Sequence, residues 1–236
     1  YTGDWDMFFS EHPENRQNGI LRAISGGPVY TSDKVGRTNP EMIRPLILED
    51  GTILRCEDVG LPTVDSLFED PTENGTILKI FNRKDDAWYI AAFNIRKDGE
   101  AADGRISMED IPALSGGEYV VYDTQTRSCG PLSEKSAYSI HLEADEAVMY
   151  QILPKRTIQV YGIAGKYISG ATVEKLSESP EEVCVRVLEK GDLICSADRK
   201  ILVIRQDGQK VSAEREDSVQ RIPGCRSGEI LRITLE

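Results

Sequence analysis

The sequence predicts a multi-domain chain that opens with two β-α units and continues as an all-β antiparallel region. Two observations carry this. Before Pro71, β-prone runs alternate with two helical stretches that have clear start or stop signals. After Pro71 the character changes to short β-branched and aromatic runs set between turn signals.

The elements follow in order. Asp4-Trp5-Asp6-Met7-Phe8-Phe9 reads as extended, with Asp4 and Asp6 on one face and Trp5 and Met7 on the other. A helix is predicted over Asn15 to Ser25, where Ile20, Leu21 and Ile24 form one stripe and Pro13 sits near the first turn. Gly26-Gly27-Pro28 stops it. Val29 to Ser32 is a short predicted strand, and Asp33 to Gly36 a loop. Asn39-Pro40-Glu41 is a helix start with a capping asparagine and a first-turn proline. Met42, Ile43, Leu46 and Ile47 give that helix its apolar side, and Pro45 limits or kinks it. Strand, helix, strand, helix is the repeat of a (β/α)8 barrel, yet two units cannot close one. The chain also starts at Tyr1 in mid-pattern, without a basic, apolar leader. It is therefore expected to be the C-terminal fragment of a longer chain, with the rest of the barrel upstream.

Several motifs resemble the raffinose synthase and alkaline α-galactosidase branch (seed imbibition protein-like) of glycoside hydrolase family 36. They are Asp4 to Phe8, His12-Pro13, Arg22 to Tyr30 and Ser32-Asp33-Lys34, then Leu48 to Arg55 and Gly60 to Pro71. Weaker likeness continues through Leu78 to Asn82, Ala92 to Asn94 and Gly117 to Asp123. Phe9-Ser10-Glu11 and Val35 depart from the family pattern, which leaves the fold and opens the choice of substrate.

The resemblance implies a (β/α)8 TIM barrel followed by an antiparallel β-sandwich, acting on α-galactosides through a glycosyl-enzyme intermediate. In such retaining enzymes two carboxyl groups lie about 5 Å apart. Both family catalytic motifs precede the Asp-Trp-Asp-Met segment, so no catalytic residue is assigned in this chain, and the fragment alone is expected to be inactive. By the barrel rule, Asp6 and Met7, with Asp33 across from them, fall on the rim of the site. The substrate-binding candidates are Asp4, Trp5, Asp6, Met7 and Asp33, with Asp6 toward the terminal galactosyl unit and Met7 as apolar wall. The alternative for Asp4 and Asp6 is capping of neighbouring loops through backbone N–H groups.

Composition narrows the partners. A net charge of −12 and a pI near 4.8 argue against nucleic acid or an anionic membrane. No apolar run approaches the roughly 20 residues a spanning helix needs. Cys56, Cys129, Cys184, Cys195 and Cys225 give neither a disulfide framework nor a metal spacing, so free thiols and a cytoplasmic location are expected. Two histidines, His12 and His141, are too few for a histidine-rich metal site; they read as a helix-start residue and an outward strand position. Neither a metal nor a cofactor is implied.

Beyond Pro71, strands are predicted at Thr76–Phe81, Trp88–Asn94, Tyr119–Tyr122, Tyr138–Leu142 and Ala147–Leu153, with turns at Lys84-Asp85-Asp86 and Asp98-Gly99. Trp88, Tyr89 and Phe93 read as core or as a sugar-stacking platform. Pro154-Lys155-Arg156 marks a boundary. Further strands are predicted at Val183–Leu188, Asp192–Ser196, Ile201–Arg205, Gln209–Ala213 and Ile230–Leu235, with a hairpin turn at Asp207-Gly208 and a solvated loop at Glu214 to Asp217. The expected division is barrel end over 1–71, sandwich over 72–155, and further strands over 156–236, in the same sandwich or a small extra lobe. Two functional readings follow: the C-terminal part of an α-galactosidase or galactosyltransferase, or a non-catalytic β-sandwich module that binds carbohydrate or supports a partner.

Overall fold

The computed structural model describes residues 7–13 and 15–236. Helix α1 spans Asn15–Ser25, α2 Pro40–Ile43 and α3 Val64–Leu67. In the first part of the β region lie β1 (Leu61–Pro62), β2 (Leu78–Lys84), β3 (Ala87–Phe93), β4 (Ala102–Ile106), β5 (Tyr119–Asp123), β6 (Cys129–Leu132), β7 (Tyr138–Leu142) and β8 (Ala147–Pro154). The second part holds β9 (Ile158–Ile163), β10 (Val173–Glu178), β11 (Glu182–Val187), β12 (Gly191–Ala197), β13 (Ile201–Arg205), β14 (Lys210–Ser212), β15 (Glu214–Glu216), β16 (Val219–Cys225) and β17 (Ile230–Leu235). Every strand pairing among the described residues is antiparallel.

Helix α1 forms where the apolar stripe predicts it. Ile20, Ala23 and Ile24 are buried, and the helix stops at Gly26, whose φ of 73° is the left-handed turn that glycine adopts without strain. The stop is also sterically fixed, because a Cβ on Gly26 would lie 2.0 Å from the Asp58 carbonyl oxygen. The α1 end is tied down by Asn82 of β2, whose amide donates to the Ile24 and Asp58 carbonyls, each at 2.7 Å. Asn39 caps α2 by accepting from the Glu41 N–H, and the chain tightens at once into a 3₁₀ turn over Arg44–Leu46 that contains Pro45. The short predicted strand Val29 to Ser32 is not one. Among the described residues it is irregular, and a bond from the Ser32 N–H to the Phe8 carbonyl (2.7 Å) joins it to the N-terminal segment.

One six-stranded sheet, in the order β1-β2-β3-β8-β5-β6, has both faces covered. On one face Ile90, Ala92, Val148, Tyr150 and Ile152 pack against the β4-β7 pair through Ala102, Ile106, Ile140 and Leu142. On the other, Tyr89, Ala91, Phe93, Met149 and Leu153 share a core with α1, Leu46, Leu48, Leu54 and Phe8, and with Tyr161, Ile168 and Ile194 from farther along. Tyr89 and Phe93 are thus core, and they form no sugar-stacking platform with Trp88. Asn94 ends β3 and ties the layers, its amide donating to the carbonyls of Glu100, Leu142 and Glu143.

The remaining strands make a second pair of sheets, β15-β16-β12-β9 and β10-β11-β17-β13-β14. Leu193, Cys195 and Ile222 of the first face Val183, Val185, Val203, Leu231 and Ile233 of the second. Ile194 and Tyr161 alternate outward into the shared core, where Tyr161 stacks on Tyr122 with centroids 4.3 Å apart. Glu214 to Asp217 is not wholly a loop. Glu214–Glu216 is an edge strand, because Arg221 on β16 ion-pairs Glu214, Glu216 (2.6 Å) and Asp192 (2.7 Å) and gathers charges that would otherwise repel.

A polar clamp fastens the N-terminal segment to the last sheets. Lys166 is nearly buried, donates to the carbonyls of Arg44 and Ile47 and lies 3.5 Å from Glu189, which accepts in turn from the Glu49 N–H at 2.6 Å. Replacing Gly26 by alanine combines a clash with a forbidden φ. Gly26→Ala is expected to lower unfolding stability by more than about 1 kcal/mol in urea titrations, and an unchanged midpoint contradicts the assigned turn.

Candidate functional site

Of the sequence-derived site residues, Asp4, Trp5 and Asp6 lie outside the described residues, while Met7 and Asp33 are placed. Phe8 anchors the segment. Its ring is fully buried, and the Arg22 guanidinium, itself only 1% exposed, lies over it at 4.6 Å from the centroid. Arg22 comes from the buried side of α1 and also donates to the Asn18 carbonyl at 3.0 Å. With Phe8 held below, Met7 and Phe9 are turned outward, Met7 at 58% exposure. Met7 has a φ of 59°, a left-handed conformation that costs a non-glycine residue about 1–2 kcal/mol. Such strain persists where surrounding contacts fix the backbone, and it redirects the chain at this point.

Ser10 is the hub that joins the two placed candidates, and the sequence reading passed over it. Its N–H and hydroxyl donate to the two carboxylate oxygens of Asp33, at 2.7 and 2.8 Å. Its hydroxyl accepts from the Asn39 N–H at 2.7 Å, and its carbonyl accepts from the Asn15 amide at 3.0 Å. One serine therefore links the extended segment, the start of α1, the Asp33 loop and the cap of α2. The available signal was a serine shortly before a helix start with an aspartate in the facing loop.

Desolvation raises the Asp33 pKa, but hydrogen bonds from the Ser10 hydroxyl and N–H, and from Thr38 and Thr31, outweigh it and leave the carboxyl below its ordinary value. Asp33 is thus a fixed, ionised carboxylate. Its four donors hold the junction in shape and take up the roughly four acceptor sites of a carboxylate. Met7, Phe9, Tyr30 and Val35, in the segments that carry Ser10 and Asp33, are exposed apolar side chains. No group of three or more His, Cys, Asp or Glu among the described residues is arranged to hold a metal ion.

His141 is outward, as the strand pattern predicts, and its Nδ1 lies 2.8 Å from Asp103. The five cysteines are free, and Cys184 and Cys195 stand on strands of different sheets.

Comparison with known proteins finds sequence relatives. Residues 1–116 match the family described as raffinose synthase or seed imbibition protein Sip1, and the chain is a relative of that family. It is 33% identical to the galactinol–sucrose galactosyltransferase of Pisum sativum over 93% of this chain and 32% of the relative. The galactinol–sucrose galactosyltransferase of Oryza sativa subsp. japonica is 30% identical over 92% of this chain and 32% of its own length. The chain thus spans about a third of the length of these relatives. Among solved structures, a protein described as an α-N-acetylgalactosaminidase from Bacillus halodurans aligns with a TM-score of 0.46 and 13% identity, over 63% of this chain and 33% of that one.

The Ser10 clasp has a definite pH dependence. Because the folded Asp33 pKa is lowered, its contribution is present above the ordinary aspartate value of 3.8 and is lost as pH falls through the lowered one. The stability gap between the native chain and Asp33→Asn, measured by urea denaturation from about pH 5 to about pH 2, is expected to narrow with acid. A gap that stays constant contradicts the clasp.

Proposed function

We propose that this chain is the C-terminal part of a longer α-galactoside-processing enzyme, one that moves an α-galactosyl group from a donor such as galactinol to a sugar hydroxyl or to water. The observation that carries this is alignment with galactinol–sucrose galactosyltransferases along more than nine-tenths of the chain. In this reading residues 1–71 are the last two β-α units of a TIM barrel, residues 72–155 its β-sandwich, and residues 156–236 the further β lobe. The bond between the Ser32 N–H and the Phe8 carbonyl, and the short loop from Phe8 to Ser10 beside Asp33, are what neighbouring parallel strand ends of such a barrel leave. Met7, Phe9, Tyr30 and Val35 are apolar and exposed on this side, which suits packing of the rest of the barrel there.

The reaction proceeds with retention. A carboxylate outside this chain displaces the leaving sugar while a second carboxylic acid protonates the departing oxygen, and water or a sugar hydroxyl then resolves the glycosyl-enzyme. The present residues bind and shape. Asp6, which follows Asp4 and Trp5, accepts hydrogen bonds from hydroxyls of the galactosyl unit, Met7 is the apolar wall, and Asp33 sets the rim through Ser10. Free thiols throughout suit a reducing cytoplasm.

The test is incubation of the full-length protein with galactinol and sucrose, with products separated by size and their anomeric configuration read by NMR. A trisaccharide with retained configuration is expected from the full-length protein, and no turnover from residues 1–236 alone. Asp6→Asn is expected to cut turnover about tenfold or more. Absence of both galactosyl transfer and galactose release sinks the reading, and an unchanged rate in Asp6→Asn removes that residue from the site.

A further inference from the structure

A cavity of about 620 Å³ opens where the N-terminal segment, the six-stranded sheet and the last two sheets meet. Its size is that of small-molecule sites, which run from about 300 to 1,000 Å³. The walls are aliphatic and come from all three parts, among them Leu54, Leu153, Ile158, Val173 and Leu188, and no aromatic ring among the described residues lines it.

Two glutamines set into this wall are buried, Gln151 of β8 at 1% exposure and Gln159 of β9 at 4%. Their carbonyl oxygens are used: Gln151 Oε1 accepts from the Ser169 hydroxyl at 3.3 Å, and Gln159 Oε1 accepts from the Arg156 N–H at 3.2 Å. Their NH₂ groups donate to no acceptor among the described residues. Neither nitrogen is fully sealed from solvent, so each keeps a little accessible surface at the cavity wall. Gly170 also lines the cavity, and a Cβ there would press to 2.5 Å on Gln151 Nε2. The missing side chain leaves that amide open. Donors with accessible surface and no acceptor among the described residues are free to bond a guest, and two on the wall of one cavity define a hydrogen-bonding edge.

The rim selects against charge. Lys84 pairs with Glu57 at 2.8 Å, Lys175 with Asp86 at 2.9 Å and Arg156 with Glu178 at 2.9 Å, so its cations are already neutralised. An anion finds no unpaired partner there, and desolvating one is expensive. A ring that needs an aromatic face to stack on finds none either.

We propose that this cavity is a binding site for a small neutral amphiphile, with an aliphatic body against the branched walls and hydroxyl or carbonyl oxygens accepting from Gln151 and Gln159. This stands apart from the galactosyl reading, and failure of the transfer assay leaves it untouched. The test is calorimetric titration of the full chain with n-octyl-β-D-glucopyranoside below its micelle concentration, beside free glucose and n-octyl sulfate. Saturable binding of the octyl glucoside is expected, with little response to glucose and weaker binding of the sulfate. Gln159→Leu is expected to weaken binding about fivefold and Val173→Trp, which fills the cavity, to abolish it, with thermal midpoints reporting that each variant folds. Should Gln159→Leu fail to fold, Gln151→Met makes the same comparison. No binding by the native chain, binding indifferent to both substitutions, or octyl sulfate bound as tightly as the glucoside each overturns the proposal.

Discussion

The six-stranded sheet has two apolar faces, and the N-terminal layer, the β4-β7 pair and part of the last sheets cover them. An antiparallel sheet usually turns one face to water and reads as alternating apolar and polar residues. Here β3 reads Ala-Trp-Tyr-Ile-Ala-Ala-Phe and β8 reads Ala-Val-Met-Tyr-Gln-Ile-Leu-Pro, with hardly a polar position in either. One face is closed by β4 and β7, and the other by α1, the Leu46–Leu54 segment and residues of the last sheets. The helical N-terminal part is therefore a structural layer of the β region and shares its core. The buried polar contacts reinforce the same junctions: Asn82 joins β2 to the end of α1, and Lys166 with Glu189 binds the 3₁₀ turn to the later strands.

This layering also sets the junction around Ser10 and Asp33. Phe8 is core, so its neighbours Met7 and Phe9 are placed by the packing of α1 beneath them, and Arg22 is the side chain that transmits it. Ser10 then carries the position to Asp33. Several residues of the family-like motifs, Gly26, Asn82 and Asn94, turn out to serve the framework. A resemblance built on them speaks for the scaffold.

Strong local signals were legible in the sequence. Helix α1 matches its stripe, Asn39 caps as its spacing implies, and strands with long apolar runs were found within a residue or two of their ends. β9, Ile-Gln-Val-Tyr-Gly-Ile, was missed despite its apolar residues, whereas other missed strands lack such runs. β10 is Val-Glu-Lys-Leu-Ser-Glu, an exposed edge whose backbone pairing leaves no pattern in its side chains, and β6 contains Gly130 and Pro131. β15 is all charge and exists because Arg221, on a neighbouring strand, draws it in. Val29 to Ser32 failed in the opposite sense. Its β-prone residues take no strand geometry among the described residues, where Ser32 bonds to the Phe8 carbonyl, and strand propensity alone does not make a strand. In the site, Asp33 was visible as a loop carboxylate, whereas Ser10 acquires meaning only from contacts 23 and 29 residues away.

The central claim is that the N-terminal layer and the six-stranded sheet are one cooperative unit. Native-state hydrogen exchange measures this most directly, by comparing amides of α1 near Ile24 with amides of β3 and β8 under mild denaturant. The shared core predicts that both sets exchange through the same global opening, with equal free energies and equal denaturant slopes. Exchange of α1 at a markedly lower free energy, while β3 and β8 stay protected, would contradict it.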